Sequence, residues 1–227
     1  MICGYCQRKI IRNLAVKEIV FPWLLADFEL CDSCRVLFAA IDPADSCPQC
    51  SRSGVKELCG DCRIWNEQYP EHPLMHNALF CYDESFAEWL GRYKFYGDYR
   101  LRHTFVKEVR QQMRNYRKHL ICPIPLSQER FAERGFNQTT AFLQAAGIRT
   151  TELLIRSCHS EPQSKKDRQA RLALQQPYAL SDNSHLIAGR KILLIDDVYT
   201  TGRTLRHAAD LLWTQGPAAI GSFSLAR

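Results

Sequence analysis

The 227-residue chain is 46% apolar and 24% charged, enough hydrophobic content for a packed core, which excludes wholesale disorder. Its length suits one or two domains, and no run of about 18 apolar residues marks a transmembrane helix. The formal net charge is +6, a modest excess whose placement says more than its size.

The amino-terminal stretch MICGYCQRKI lacks the apolar core of a secretory signal, so the expected compartment is the cytoplasm, without membrane insertion. In a reducing compartment, eleven cysteines point to metal rather than to disulfides. Eight of them form four C-x-x-C pairs within the first 62 residues: Cys3/Cys6, Cys31/Cys34, Cys47/Cys50 and Cys59/Cys62. Each such turn aims two thiolates at one tetrahedral ion, so two structural zinc sites are expected. The simplest pairing is sequential, with Cys3, Cys6, Cys31 and Cys34 at one ion and Cys47, Cys50, Cys59 and Cys62 at the other; an interleaved pairing fits the spacing as well. Four thiolates and a dication leave each site at about −2, which lowers the net charge to roughly +2. A segment this small has little core, so zinc is expected to supply its folding energy, about 10–16 kcal/mol per site. Trp23 and its apolar neighbours are expected to fill the long first loop. The boundary falls at QYPEHP, residues 68–73, which divides the chain into a zinc-binding module, 1–68, and a second domain, 69–227.

Beyond the boundary, strands and helices alternate. Residues 74–82 read as a strand and 85–95 as a helix. Residues 99–118 read as one longer helix with Leu101, Phe105, Val109, Met113 and Tyr116 along its buried face. Residues 120–126 form a strand running into a proline-marked loop, 138–147 a helix closed by Gly147, and 151–156 a short strand. Residues 191–197 read as a buried strand, 204–216 as a helix stopped by Gly216 and Pro217, and 218–226 as a final strand. This alternation implies an α/β fold, a parallel sheet with helices on both faces. No internal repeat stands out in this part of the chain. Cys81, Cys122 and Cys158 lie in or beside strands and are expected to serve as small buried hydrophobes. From Phe86 to Arg134 there are eleven Lys/Arg and five Asp/Glu, 11 − 5 = +6. That stripe suits nucleic acid or phosphate, or a solvated helix face.

The sequence ILLIDDVYTTGRT, residues 192–204, concentrates the chemistry. In an open α/β sheet, ligands bind beyond the carboxyl ends of the strands, where Asp196 and Asp197 fall. Ionised carboxylates accept hydrogen bonds from vicinal sugar hydroxyls. Thr200, Thr201, Gly202, Arg203 and Thr204 then offer hydroxyls, backbone N–H groups and a helix N-terminus, a combination suited to phosphate. A ribose 5-phosphate moiety satisfies both halves. This stretch resembles the phosphoribosyl pyrophosphate (PRPP) motif of type I phosphoribosyltransferases. The resemblance implies that the two aspartates hold the ribose hydroxyls and that residues 200–204 hold the 5-phosphate.

RYKFYGDYRL (92–101), PIPLSQERFAERGFNQ (123–138) and QSKKDRQARL (163–172) extend the likeness. With the paired C-x-x-C motifs, essentially the whole chain is similar to the ComF family of competence proteins, in its ComFC branch. That resemblance implies a type I phosphoribosyltransferase-like sheet flanked by helices and preceded by a small double zinc-ribbon module. It also implies a role in natural transformation, handling single-stranded DNA together with a helicase-like ATPase of the ComFA type. Lys94, Arg130, Arg134 and Arg168 are candidate contacts for pyrophosphate or DNA. Asn137 or Gln138 serves the same loop or caps the following helix. Tyr93, Phe95, Tyr96 and Tyr99 interleave with Arg92, Lys94, Arg100 and Arg102, a pattern fit for stacking single-stranded bases or for core packing. Two functions follow: a DNA-uptake factor that binds PRPP, or an active phosphoribosyltransferase using Mg²⁺ and PRPP on an unidentified acceptor. The sequence contains no recognisable nucleobase pocket.

Overall fold

The computed structural model describes residues 1–21, 28–156 and 176–227. Trp23, Cys158, Arg168 and the basic stretch 163–172 lie outside the described residues. The strands are β1 (Ile2–Cys3), β2 (Phe28–Glu29), β3 (Met75–Phe80), β4 (His119–Pro123), β5 (Leu154–Arg156), β6 (Tyr178–Leu180), β7 (Lys191–Val198) and β8 (Ala219–Ala226). The α-helices are α1 (Val16–Val20), α2 (Asp32–Arg35), α3 (Gly60–Gln68), α4 (Glu84–Lys94), α5 (Val106–Met113), α6 (Gln128–Arg134), α7 (Gln138–Ala145) and α8 (Arg203–Trp213).

The central sheet has the order β3-β8-β7-β4, and all its strands are parallel. β7 is an inner strand, and Ile192, Leu193, Leu194 and Ile195 are all fully buried. Such a continuous apolar run is what a parallel strand covered on both faces requires. Leu193 and Ile195 pack with Phe86, Trp89, Tyr93 and Phe105 and with Phe142 of α7. Ile192 and Leu194 pack on the opposite face with Leu205, Ala208, Ala209 and Leu212 of α8. Those four positions of α8 are the inward set that its spacing predicts.

Three expectations need correction. The stretch 99–118 is not one helix but a 3₁₀ turn (Tyr99–His103), α5, and a second 3₁₀ turn (Arg114–Tyr116). Its apolar face is nonetheless buried, as Leu101, Phe105, Val109 and Met113 all enter the core. The break comes from tertiary contacts around Thr104. Its hydroxyl accepts from Trp89 Nε1 at 2.9 Å and donates to the Gly4 carbonyl at 3.1 Å. The first cysteine turn is pressed against this point, since a Cβ on Gly4 would lie 2.5 Å from the His103 carbonyl oxygen. Phe105, at φ −113° and ψ 24°, then leaves helical geometry.

The strand expected at 151–156 shortens to β5 and pairs antiparallel with β6 rather than joining the central sheet. β5 buries only one face, with Leu154 in the core and Ile155 half exposed, which suits a small flap better than an inner parallel strand. Finally, the proline-marked loop after β4 contains a helix, α6, with Ser127 accepting from the Arg130 N–H and Gly135 in the left-handed conformation at its end. Of the isolated cysteines, Cys122 is buried and Cys81 half-buried.

Strand β3 lies at the edge of the sheet, and the cysteine-rich segment covers it. The His76 N–H donates to the Gln49 carbonyl and the Ser51 hydroxyl to the His76 carbonyl, while the N–H groups of Ile41 and Cys81 bond to the carbonyls of Leu79 and Ala39. A covered edge presents no template for intermolecular pairing.

Thr104→Val removes a hydroxyl that satisfies two buried groups and leaves the shape almost unchanged. The expected cost is about 2–3 kcal/mol, read as a lower urea midpoint with unchanged denaturant slope.

Candidate functional site

Sequence repetition becomes visible first in the cysteine turns. In each of two copies, a C-x-x-C is followed by a residue in the left-handed region, Gln7 (φ 63°) or Ser51 (φ 60°). In each, the first cysteine N–H bonds 2.8 Å to an arginine carbonyl five residues on, Arg8 or Arg52. The second C-x-x-C sits at a helix start, with Cys31 capping α2 and Cys59 capping α3. The N–H of that capping cysteine donates to the first thiol of its own group, Cys31 to Cys3 Sγ and Cys59 to Cys47 Sγ, both at 3.4 Å. The chain therefore contains one knuckle built twice, which the unequal intervening loops obscure in the sequence.

The knuckles collect their thiols sequentially. Cys3, Cys6, Cys31 and Cys34 form one group and Cys47, Cys50, Cys59 and Cys62 the other, with the sulfurs of each within 4.8 Å of one another. A tetrahedral ion with Zn–S bonds of about 2.3 Å places its sulfurs about 3.8 Å apart. Cys6–Cys31, Cys47–Cys62 and Cys50–Cys59 stand at 3.8, 3.9 and 3.6 Å. Donor chemistry and spacing fit zinc, so the two groups could hold structural zinc. The interleaved pairing is not the one the fold adopts. In the second group the Cys50 thiol is held down to about 4, first by a hydrogen bond from Cys62 and, against burial, by the Arg227 guanidinium.

At the carboxyl edge of β7 the two aspartates separate, because successive strand residues point to opposite faces. Asp197 is 3% exposed. Its Oδ1 accepts from Lys94 Nζ at 2.8 Å and its Oδ2 from Gln138 Nε2 at 2.7 Å. Arg134 in turn donates to Gln138 Oε1 at 3.1 Å and lies over the Phe95 ring. Lys94, Arg134, Gln138 and Asp197 thus form one hydrogen-bonded chain from α4 and α6 to the strand end. Lys94 is directed at Asp197. Asn137 caps α7, accepting from the N–H groups of Thr139 and Thr140, and Gln138 is the residue left to reach the acid.

Asp196 is the more unusual acid. Burial first, and then the neighbouring Asp197 carboxylate, push it up to about 7, against the pull of Lys94 and Arg130. Arg130 is therefore close enough for its charge to act on Asp196. Beyond the acids, Thr200, Thr201, Arg203 and Thr204 are exposed and Gly202 is buried. Gly202 holds φ 78°, and a Cβ there would overlap the Tyr199 hydroxyl, so glycine is required on two counts. It is also the N-cap of α8 and has no side chain to cap that end, where the Thr201 hydroxyl accepts from the Arg203 N–H at a long 3.5 Å. The turn thus presents exposed hydroxyls around helix N–H groups that a phosphate would satisfy.

Sequence reasoning misses two residues at this turn. Trp65 Nε1 donates to the Thr201 carbonyl at 2.8 Å and Arg227 Nη1 to the Thr200 carbonyl at 2.6 Å. Neither carries a local signal, as they lie 136 and 27 positions away along the chain.

A phosphoribosyl transferase domain family matches residues 142–227. Competence protein ComFC of Streptococcus pneumoniae is 34% identical over 231 residues, covering 100% of this chain and 99% of that protein. Competence protein ComFC of Bacillus subtilis is 33% identical over 234 residues, covering 100% and 95%. DNA utilization protein YhgH of Escherichia coli is 25% identical over 231 residues, covering 91% and 93%. Among solved structures, an allosteric regulatory enzyme of purine biosynthesis aligns over 52% of this chain and 24% of its own, with 16% identity and a TM-score of 0.35. The parallel sheet, the flanking helices and the matched domain are those of the type I phosphoribosyltransferase fold.

The raised Asp196 makes ligand-free stability fall with pH. Unfolded, its carboxyl ionises near 3.8, and folded near 7. Ionisation is thus resisted by the fold, and stability declines as pH rises from about 4 through 7. Asp196→Asn is expected to raise the melting temperature at pH 8 by several degrees, on the order of 3 kcal/mol, and to leave it nearly unchanged at pH 4. In metal analysis, Cys3→Ser and Cys59→Ser should each reduce the zinc content from two ions per chain to about one.

Proposed function

The chain belongs to the ComFC family of competence proteins, and from that premise we propose that it is a DNA-uptake factor that binds PRPP or a related pentose 5-phosphate and carries single-stranded DNA. Relatives named for competence and for DNA utilization support the role in competence. One observation carries the ligand assignment: exposed threonine hydroxyls surround the glycine-started helix α8, one residue pair beyond a buried acid at the carboxyl edge of a central parallel strand. The turn takes the 5-phosphate, and Asp196 accepts from the ribose hydroxyls once ionised. Asp197, fixed by Lys94 and Gln138 on the opposite face of the strand end, adds its charge beside the same sugar. Mg²⁺ with PRPP would neutralise the pyrophosphate, with Arg130 and Arg134 nearby as guanidinium donors. The protein acts in the cytoplasm beside a helicase-like ATPase of the ComFA type. Among the described residues no helix is long and apolar enough to cross a membrane.

Single-stranded DNA is assigned to the surface around residues 92–102. Phe95 and Tyr96 are 76% and 85% exposed and Tyr99 is half exposed. Arg102 lies 4.1 Å over the Tyr99 ring, while Arg92 and Arg100 share Asp98. Exposed rings beside cations suit base stacking and backbone contact. Tyr93 does not belong to this surface: it is fully buried and its hydroxyl donates to the Gln138 carbonyl at 2.8 Å.

A second reading, an active phosphoribosyltransferase, draws on a cavity of about 590 Å³ lined by Tyr99, Phe131, Phe136, Gln128, Asn137 and Arg156. It opens beside β4, whose Pro123 is in register with Ile195, the residue before the acids. A flat heteroaromatic acceptor would fit such a wall.

Calorimetry with Mg²⁺ and PRPP decides the ligand assignment. Saturable binding is expected, and Asp196→Ala with Asp197→Ala should abolish it with zinc content unchanged; undiminished affinity in that variant removes the assignment. For DNA, neutralising about four phosphates gives a log–log salt slope near −3, and Phe95→Ala with Tyr96→Ala should weaken binding about tenfold. Pyrophosphate release with an added base or DNA would instead favour the transferase.

A further inference from the structure

The turn at 200–204 is held from behind by the second thiolate group. Trp65 and Arg227 grip the carbonyl oxygens of Thr201 and Thr200. In a planar trans peptide the C=O and the following N–H point in opposite directions. Fixing these two carbonyls therefore fixes the N–H groups of Thr201 and Gly202 on the far side, where an anion would lie. Both gripping residues depend on the cysteines. Trp65 is on α3, which starts at Cys59 and has Cys62 in its first turn. Arg206, 3% exposed, lies 5.8 Å over the Trp65 ring. Arg227, whose side chain is 9% exposed, donates from Nη2 to Cys50 Sγ at 3.6 Å and stands 3.4 Å from Asp61 Oδ2. Asp61, between Cys59 and Cys62, also pairs with Arg52 of the knuckle at 3.2 Å. The first thiolate group lies elsewhere: its cysteines pack with Phe38, Phe86 and Phe105 on the other face of the sheet.

We infer that metal in the second cysteine group and pentose phosphate in the turn are coupled through Trp65 and Arg227, acting as positioning residues. Filling one site raises the affinity of the other. With metal bound, Cys50 is a thiolate that takes the Arg227 hydrogen bond, and α3 is anchored at its start. Without it, Cys59 and Cys62 no longer fix the start of α3 and Cys50 is no longer fixed beneath Arg227, so the turn's N–H groups are held less firmly. Linkage requires the effect to be reciprocal. The inference rests on the pentose-phosphate reading of the turn.

The test measures Mg²⁺–PRPP affinity by calorimetry and zinc affinity by equilibrium competition with a chromogenic chelator. Trp65→Phe and Arg227→Met, each confirmed to carry two zinc ions, should bind PRPP about tenfold more weakly, with Arg227→Lys recovering part of the loss. Cys3→Ser with Cys6→Ser should lose one zinc and keep its PRPP affinity. In the unmodified protein, saturating PRPP should tighten one of the two zinc sites about tenfold and leave the other unchanged, and Trp65→Phe should abolish that shift. A chelator curve unmoved by bound PRPP overturns the coupling, as does wild-type affinity in both Trp65→Phe and Arg227→Met. If the unmodified, zinc-loaded protein takes up no PRPP or ribose 5-phosphate, the reading of the turn itself fails, and the coupling fails with it.

Discussion

A strand with parallel neighbours on both sides and cover on both faces can turn polar only at its ends. β7 obeys that constraint, with four fully buried aliphatic residues followed directly by two acids. Alternation then divides the acids between the two faces of the sheet. Asp197 meets Lys94 and Gln138 and becomes a fixed part of the frame. Asp196, on the other side, is partly buried, accepts only from the Asp197 backbone N–H among the described hydrogen bonds, and is pushed toward neutrality. A pair that looks redundant in sequence thus separates into a positioned carboxylate and a titratable one, and the surrounding helices are placed by which acid they serve.

The two cysteine groups play a related part at larger scale. Each joins a different core, the first with the aromatic residues of α4 and Phe105 and the second with α8 and the alternate residues of β7. Between them, the segment that carries them covers the β3 edge. A metal ion held in either group would therefore stabilise more than a small module, since each knuckle packs against one face of the central sheet. The charge of each tetrathiolate site, about −2 with zinc, also accounts for the arginine placed against the second.

Much of this was legible in the sequence, for identifiable physical reasons. The C-x-x-C pairs, the β7 run and the Asp–Asp–x-x–Thr–Thr–Gly turn are local signals, and β7 starts at its expected residue and runs one residue further. The sequence did not disclose that residues 99–118 break at Thr104, because the cause is the approach of Gly4 from about a hundred positions away. It did not disclose Gln138 or Trp65 as polar partners, for the same reason. Helix α6 is different: Ser127, Glu129, Arg134 and Gly135 are a full set of start and stop signals, which the neighbouring prolines masked. The knuckle repeat escaped notice because its likeness is in backbone geometry more than in residue identity.

The grip of Trp65 and Arg227 on the turn at 200–204 also bears on the order in which the chain assembles. Contacts spanning 136 and 177 positions close long loops in the polar network, and closing such loops slows folding. During synthesis the second knuckle can capture metal as soon as Cys62 has emerged, long before the turn exists. Helix α3 must then wait, its tryptophan without an acceptor, until β7, α8 and β8 have been made and docked. The second knuckle is thus able to form early and is among the last to receive its partners.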